Sequence, residues 1–322
     1  MATKVDKQTG RAGVEITLPG GTRLSSSDAF VTNIMLAEMP GYFAHGIQLS
    51  PGDIVFDVGA NVGMFSMWVA DQYGDVQVYA FEPVKPAFDV LDFNIARAGK
   101  GNIRAFPFGL SRSCTTTEFT VFPRATVLSS SRRSRVDPLN REAMKRALVA
   151  VGRQRGFPRL RWLPSAARPR VAGLLADLVL RHETKRLSAT AATVACEVRR
   201  LSQVISDEHI QRIDLLKIDV EGAELDVLAG IEARHWPIIK QIVMEVEGYS
   251  RDSVVIAAML RAESFTNMRK WSWRSTAGST NTCLPGQSAS FSTLRRFSRA
   301  AWLSIRQVRS GSAFRREHHS RS

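Results

Sequence analysis

Lys217, Asp219 and Glu221 stand two residues apart in the run DLLKIDVEG at 214–222. If the strand continues that far, side chains at this spacing share one face, so an ammonium and two carboxylates converge on the strand end. Such a trio can remove a proton from an acceptor, orient it, or pair internally as a buried ionic network that only shapes the sheet. A second set lies upstream: Asp57, Gly59, Asn61 and Gly63 in DVGANVG, and Glu82 in FEP. A glycine turn between an apolar strand and a helix lets backbone approach a ligand, and the helix N-terminus favours a nucleotide-like or carboxylate-bearing group. Glu82, 25 positions after Asp57 and at the end of the next strand, is suited to accept hydrogen bonds from ribose hydroxyls.

The spacing argues against a dinucleotide. That fingerprint asks for G-x-G-x-x-G, whereas three residues separate Gly59 from Gly63. Asn61 tolerates positive φ and can stand where another glycine would be expected. Acid, Gly, three residues, Gly suits one nucleoside with an amino-acid tail and no pyrophosphate; a tight turn without any ligand is the bland alternative.

The elements that position these residues follow from periodicity. Residues 54–58 are an apolar run interrupted only by Asp57, and Phe65, Val69 and Ala70 recur at helical spacing beyond the turn. Strands are expected at 76–81, 103–108, 214–220 and 238–246, with an extra antiparallel strand at 115–122. Helices are expected at 86–98, ended by Gly99, around Leu225, Leu228 and Ile231, and at 253–262. Ahead of them, Pro19-Gly20-Gly21 joins 14–18 and 22–24 in a hairpin. Asp28 opens a helix toward Met39 that Pro40-Gly41 stops. Alternating strands and helices, with ligand-type residues at successive strand ends, call for an α/β fold: an open, mostly parallel sheet with helices on both faces.

The formal charge of +14 is unevenly placed. Residues 1–123 carry a net −3 and 201–270 a net −4, whereas 124–200 carry +13 and 271–322 carry +8. The basicity therefore sits in an insertion and a tail rather than in the sheet. Serines, arginines and scattered prolines mark 124–200 as a partly helical insertion, with helices expected at 142–151 and 171–180, after which 193–198 and Leu201-Ser202 lead back toward the sheet. Beyond Trp273 the strand pattern fails and a disordered tail is expected. The division is thus a hairpin and helix cap at 1–52, a main domain at 53–270, and a Ser/Arg-rich tail at 271–322.

Cys114, Cys196 and Cys283 are widely separated, which supports neither a zinc site nor a disulfide framework and fits a reducing cytoplasm. No stretch reaches the roughly 20 apolar residues of a spanning helix. His45, His209 and His235 occur singly; Glu245 and Glu247 could add to an acidic rim or bind a divalent metal through oxygen ligands, but surface solvation is the expectation, so no metal site is expected. The insertion lacks aromatic interleaving and RNA-binding motifs, so nucleic acid is not the expected partner.

DVGANVGMFS at 57–66, AFEPVKP at 80–86 and DLLKIDVEGAELDVLAG at 214–230 resemble the FkbM family of S-adenosylmethionine-dependent methyltransferases. The resemblance covers about residues 13–269 and matches the insertion only loosely. It implies a Rossmann-like methyltransferase fold and methyl transfer from S-adenosylmethionine to a hydroxyl of a small molecule, such as a secondary metabolite or sugar. By position, Asp57, Gly59, Asn61 and Gly63 would line the methionine part of the cofactor and Glu82 would hold the ribose. Gly109 and Leu110 would lie near the adenine. Asp219 is then the first choice for a base or substrate orienter. Lys217 would hold the acceptor oxygen or pair with Asp219, and Glu221 is the alternative base. An RNA or protein methyltransferase that uses the basic insertion, or a catalytically degenerate cofactor-binding protein, are the competing expectations.

Overall fold

The computed structural model describes residues 4–5, 12–26, 29–43, 46–121, 163–178 (without 169 and 176), 192–247, 251–271 (without 264 and 266) and 300–306. The helix expected at 142–151 and His45 lie outside these residues.

A small antiparallel sheet comes first, built from β1 (Lys4–Val5), β2 (Ala12–Thr17) and β3 (Arg23–Ser26). Helix α1 (Ala29–Tyr42) follows. The expected stop at Pro40-Gly41 does not hold, because the helix runs through Pro40 to Tyr42. Proline removes one donor and disfavours helix at the residue before it. Here the last turn is tied down by Tyr42, whose ring is buried 5.1 Å from that of Phe65.

The main sheet contains β4 (Ile54–Val58), β5 (Gln77–Phe81), β6 (Ile103–Phe106), β10 (Leu215–Ile218), β11 (Gln241–Glu247), β12 (Asn267–Trp271) and β13 (Ala300–Arg306). Its order is β12-β13-β11-β10-β4-β5-β6. β11, β10, β4, β5 and β6 run parallel, and β13 is antiparallel to both β11 and β12. β13 corrects the expectation of a strandless end, since residues 300–306 form a strand inside the sheet. Its sequence, AAWLSIR, is a short apolar run that Ser/Arg-rich surroundings hide.

Alternation along the strands sends side chains to two cores. Phe56, Val58, Leu216, Ile218, Ile242 and Met244 face one side. α4 (Leu201–Asp207), α5 (Glu224–Ala229), a 3-10 turn at Ala233–Ile238 and α6 (Arg251–Ala262) cover that side. Val55, Val78, Ala80, Leu215 and Val243 face the other side, toward α2 (Met64–Tyr73), α3 (Lys85–Ala98), α1 and the hairpin. Helices on both faces of a mostly parallel sheet are the expected α/β arrangement.

β7 (Gly109–Leu110), β8 (Thr115–Val121) and β9 (Ala192–Arg199) form a separate sheet in the order β7-β9-β8. The strand expected at 103–108 therefore ends at Phe106, and Gly109-Leu110 leaves the main sheet to pair with β9. The extra strand near 115–122 is antiparallel as expected, with β9 as its partner.

Candidate active site

Register aligns the carboxyl ends of the central strands. Val58 pairs with Phe81 and with Ile218, and Phe81 pairs with Phe106. Gly59, Glu82 and Asp219, each the next residue along its strand, therefore share one edge of the sheet.

The face that carries Val55 and Leu215 also carries Asp57 and Lys217, so two buried charges meet beneath that edge. Lys217 Nζ lies 2.9 Å from Asp57 Oδ1 and donates to the Gly59 carbonyl at 3.0 Å. Asp219 Oδ2 is 3.7 Å away. Asp57 Oδ2 accepts from Ser66 Oγ at 2.7 Å. Burial works against the Lys217 charge, but Asp57 and Asp219 outweigh it and raise its pKa above the usual lysine value. The ring of Phe65 sits 5.7 Å from the ammonium. With a hydrogen bond to the Gly59 carbonyl and ion pairs to Asp57 and Asp219, Lys217 is engaged within the protein.

Asp219 differs from both. Its side chain is 18% exposed, against 3% for Lys217 and 0% for Asp57. It lies just beyond the end of β10 and accepts from Tyr42 Oη at 3.0 Å, so the cap helix α1 fixes the carboxylate from above. Glu221 does not continue the alternation. The strand ends at Ile218, and Glu221 and Gly222 adopt positive φ of 50° and 94° in a turn. The Gly222 N–H donates to Glu224 Oε1 at 2.9 Å. Burial pushes the Glu224 carboxyl up to about 7.

The glycine turn satisfies its own backbone. The Gly59 and Ala60 N–H groups both donate to the Phe81 carbonyl and Gly63 N–H to Ala60 O. Asn61 N–H donates to Glu82 Oε2 and Val62 N–H to Asn61 Oδ1. Asn61 takes positive φ of 51°, as its type permits. Gly59 is required twice: its φ is +79°, and a Cβ there would lie 1.9 Å from the Asp219 carbonyl oxygen. The close approach serves β10 packing against the turn. Gly63 opens α2, and a Cβ on it would meet Leu91 of α3 at 2.5 Å.

Glu82 is buried at the end of β5. Its Oε1 accepts from Val84 N–H at 2.8 Å, while Oε2 takes the Asn61 donor. Burial pushes its carboxyl up to about 7, against the pull of those two N–H groups and of Lys217. Each oxygen has used one acceptor position, which leaves capacity for the two hydroxyls of a ribose. This donor set fits the nucleoside part of S-adenosylmethionine. Gly109 packs beneath Pro83, the residue after Glu82, whereas Leu110 is buried in the aromatic core with Phe81 and Phe106.

Sequence reasoning missed Tyr42, Ser66 and the role of Asn94. Tyr42 stands behind a Pro-Gly pair that reads as a helix stop. Ser66 is a polar residue on the otherwise apolar buried face of α2, a signal that was available. Asn94, buried in α3, donates to the Val62 and Ser25 carbonyls and accepts from Ser25 N–H, which ties the hairpin to the glycine turn. Among the described residues no group of His, Cys, Asp and Glu is arranged to hold a metal ion. His235 shares a hydrogen bond with Ser202 Oγ at 2.8 Å and lies away from the edge.

The chain matches the Methyltransferase FkbM domain over residues 57–276. It is 32% identical over 254 residues to the 31-O-demethyl-FK506 methyltransferase FkbM of Streptomyces tacrolimicus, covering 78% of this chain and 88% of that protein. Methyltransferase sdnD of Sordaria araneosa is 31% identical over 68% of this chain and 75% of its own length. AMB antimetabolite synthetase AmbE of Pseudomonas aeruginosa is 32% identical over 76% of this chain, which spans only 11% of that synthetase. Together with the strand-edge geometry, these matches place the chain in the FkbM family of S-adenosylmethionine-dependent methyltransferases.

Proposed function

We propose that the protein transfers the methyl group of S-adenosylmethionine to a hydroxyl oxygen of a small molecule. The observation that carries this reading is Asp219: a partly exposed carboxylate at the strand edge, held by Tyr42 and flanked by the buried Lys217. The name of the Streptomyces tacrolimicus relative, which specifies a 31-O-demethyl substrate, supports an oxygen acceptor.

When bound, the cofactor supplies a sulfonium-activated methyl, so positioning provides much of the rate. Glu82 holds the ribose end, and the turn from Gly59 to Gly63 borders the methionine end. Asp57 and Lys217 act one layer down: they fix the Gly59 carbonyl and the base of Asp219 without facing the ligand. Asp219 accepts the proton of the incoming hydroxyl, or orients that hydroxyl, while Tyr42 keeps its second carboxylate contact in place. Glu221 sits on the neighbouring turn as an alternative base.

The test is transfer of labelled methyl from S-adenosylmethionine to a panel of hydroxylated small molecules. Asp219→Asn is expected to bind the cofactor as the wild type does and to lose about 100-fold or more in transfer rate. Undiminished transfer by that variant would remove Asp219 as the base.

A further inference from the structure

Glu224 is a buried acid that the chemistry above leaves without a task. It opens α5 and is 5% exposed, and its Oε1 accepts from Gly222 N–H at 2.9 Å. Asp226 on the same helix is met by the Arg112 guanidinium, whereas the partners of Glu224 are backbone N–H groups, those of Gly222, Val220 and its own. An apolar side chain would be buried there at lower cost, so the effect of the carboxyl lies in what it holds.

What it holds is the turn that follows Asp219. Glu221 and Gly222 take φ of 50° and 94°, and a left-handed glutamate is uncommon and persists only where its surroundings fix it. Glu224 on Gly222 N–H closes this turn, and Ala223 N–H donates to the Val220 carbonyl at 3.4 Å. On the other side, Asp219 N–H donates to the Val58 carbonyl at 3.1 Å. The Asp219 carbonyl lies against Gly59, where a Cβ would be 1.9 Å away. The backbone of Asp219 is thus set between β4 and the clasped turn, while Tyr42 holds its side chain. Burial first, and then the Asp219 charge, raise the Glu224 carboxyl, so the two acids also interact through charge.

We propose that Glu224 is a positioning residue for methyl transfer, acting through Asp219: its carboxyl clasps the turn at 219–222 and so fixes where the Asp219 carboxylate meets the incoming hydroxyl. This rests on the reading of Asp219 under the proposed function.

A double-mutant cycle in the labelled-methyl assay tests it, using the panel compound that the wild type methylates fastest and counting rates per cofactor-binding site. Glu224→Met fills similar space without an acceptor. It is expected to lose about tenfold or more in kcat, with cofactor affinity and the KM for the acceptor within about twofold of the wild type. Glu224→Gln keeps an acceptor oxygen for Gly222 N–H and is expected to recover the rate to within about threefold. Added to Asp219→Asn, Glu224→Met is expected to cost less than about twofold more, because both act through one carboxylate. Amide NMR spectra of isotope-labelled protein give a readout that needs no acceptor: Glu224→Met should move the resonances of Asp219 and Gly222 and leave those of Asn61 and Val84 in place, and Glu224→Gln should restore them. Full-rate transfer by Glu224→Met, an unmoved Asp219 resonance, or the same loss in the Asp219→Asn background as in the wild type would each overturn the proposal. So would a Glu224→Met chain that no longer binds the cofactor, which makes the role one of folding. Undiminished transfer by Asp219→Asn would instead remove the reading of Asp219, and this proposal with it.

Discussion

Lys217 joins the buried and the exposed parts of the site, and its environment dictates what its removal does. Lys217→Met leaves the Asp57 carboxylate buried with Ser66 as its remaining side-chain donor. Breaking such a pair costs about 3–5 kcal/mol, so a denaturant titration is expected to show a loss of that order, partly recovered in Lys217→Met/Asp57→Leu. An unchanged midpoint would mean that the pair does not stabilise the sheet. Tyr42→Phe removes only the donor to Asp219, and transfer is expected to fall about tenfold with cofactor affinity kept. Glu82 makes a pH prediction. Its folded pKa of about 7 lies above the ordinary 4.5, so the folded protein retains a proton that the unfolded chain has released between those values. Stability from this group is complete below about pH 4.5 and is lost as pH rises through about 7. Ribose hydroxyls need the ionised form, so cofactor affinity should run the other way and be about tenfold weaker near pH 6 than near pH 8. Asp57, Glu82, Lys217 and Asp219 stand out in the sequence because charge on or beside an apolar strand is conspicuous, and Asn61 because it stands in the turn where a glycine would be expected. That Asp57 and Lys217 would consume each other was not legible, since pairing between β4 and β10 depends on a register that spans 160 positions between Asp57 and Lys217.

At the scale of elements, the cap is what the local sequence described least well. The hairpin and the start of α1 follow from Pro19-Gly20-Gly21 and apolar spacing, but the final turn of α1 is decided by Tyr42 reaching Phe65 and Asp219. Tertiary contact there overrides the Pro-Gly signal. Asn94→Leu removes three hydrogen bonds linking α3 to the hairpin and the glycine turn. About 1–3 kcal/mol of stability is expected to go with them, and faster amide exchange should be confined to the hairpin and the turn. Equal acceleration across the central strands would contradict that local role. Gly59 is the stricter case: Gly59→Ala drives a Cβ into the Asp219 carbonyl, so it should displace the end of β10 and abolish cofactor binding even where the chain still folds.

For the whole molecule, the parallel centre of the sheet was readable because strands buried on both faces are nearly continuous apolar runs. The reversed edge was not. β13 is a seven-residue strand far along the chain from β11, and its short apolar run is masked by the Ser/Arg-rich sequence on either side. Truncation after residue 273 removes β13, which is the partner of β12 and lies on the open side of β11. The shortened chain is expected to melt at lower temperature and to associate through the exposed edge of β11, seen by thermal unfolding and size-exclusion chromatography; a monomer with the wild-type midpoint would contradict this. The edge where Gly59, Glu82 and Asp219 meet is tested most directly by calorimetric titration of S-adenosylmethionine near pH 8. The wild type is expected to bind one equivalent, and Glu82→Gln about tenfold or more weakly, without the wild type's pH dependence. Equal binding by Glu82→Gln, or none by the wild type, would contradict the site described.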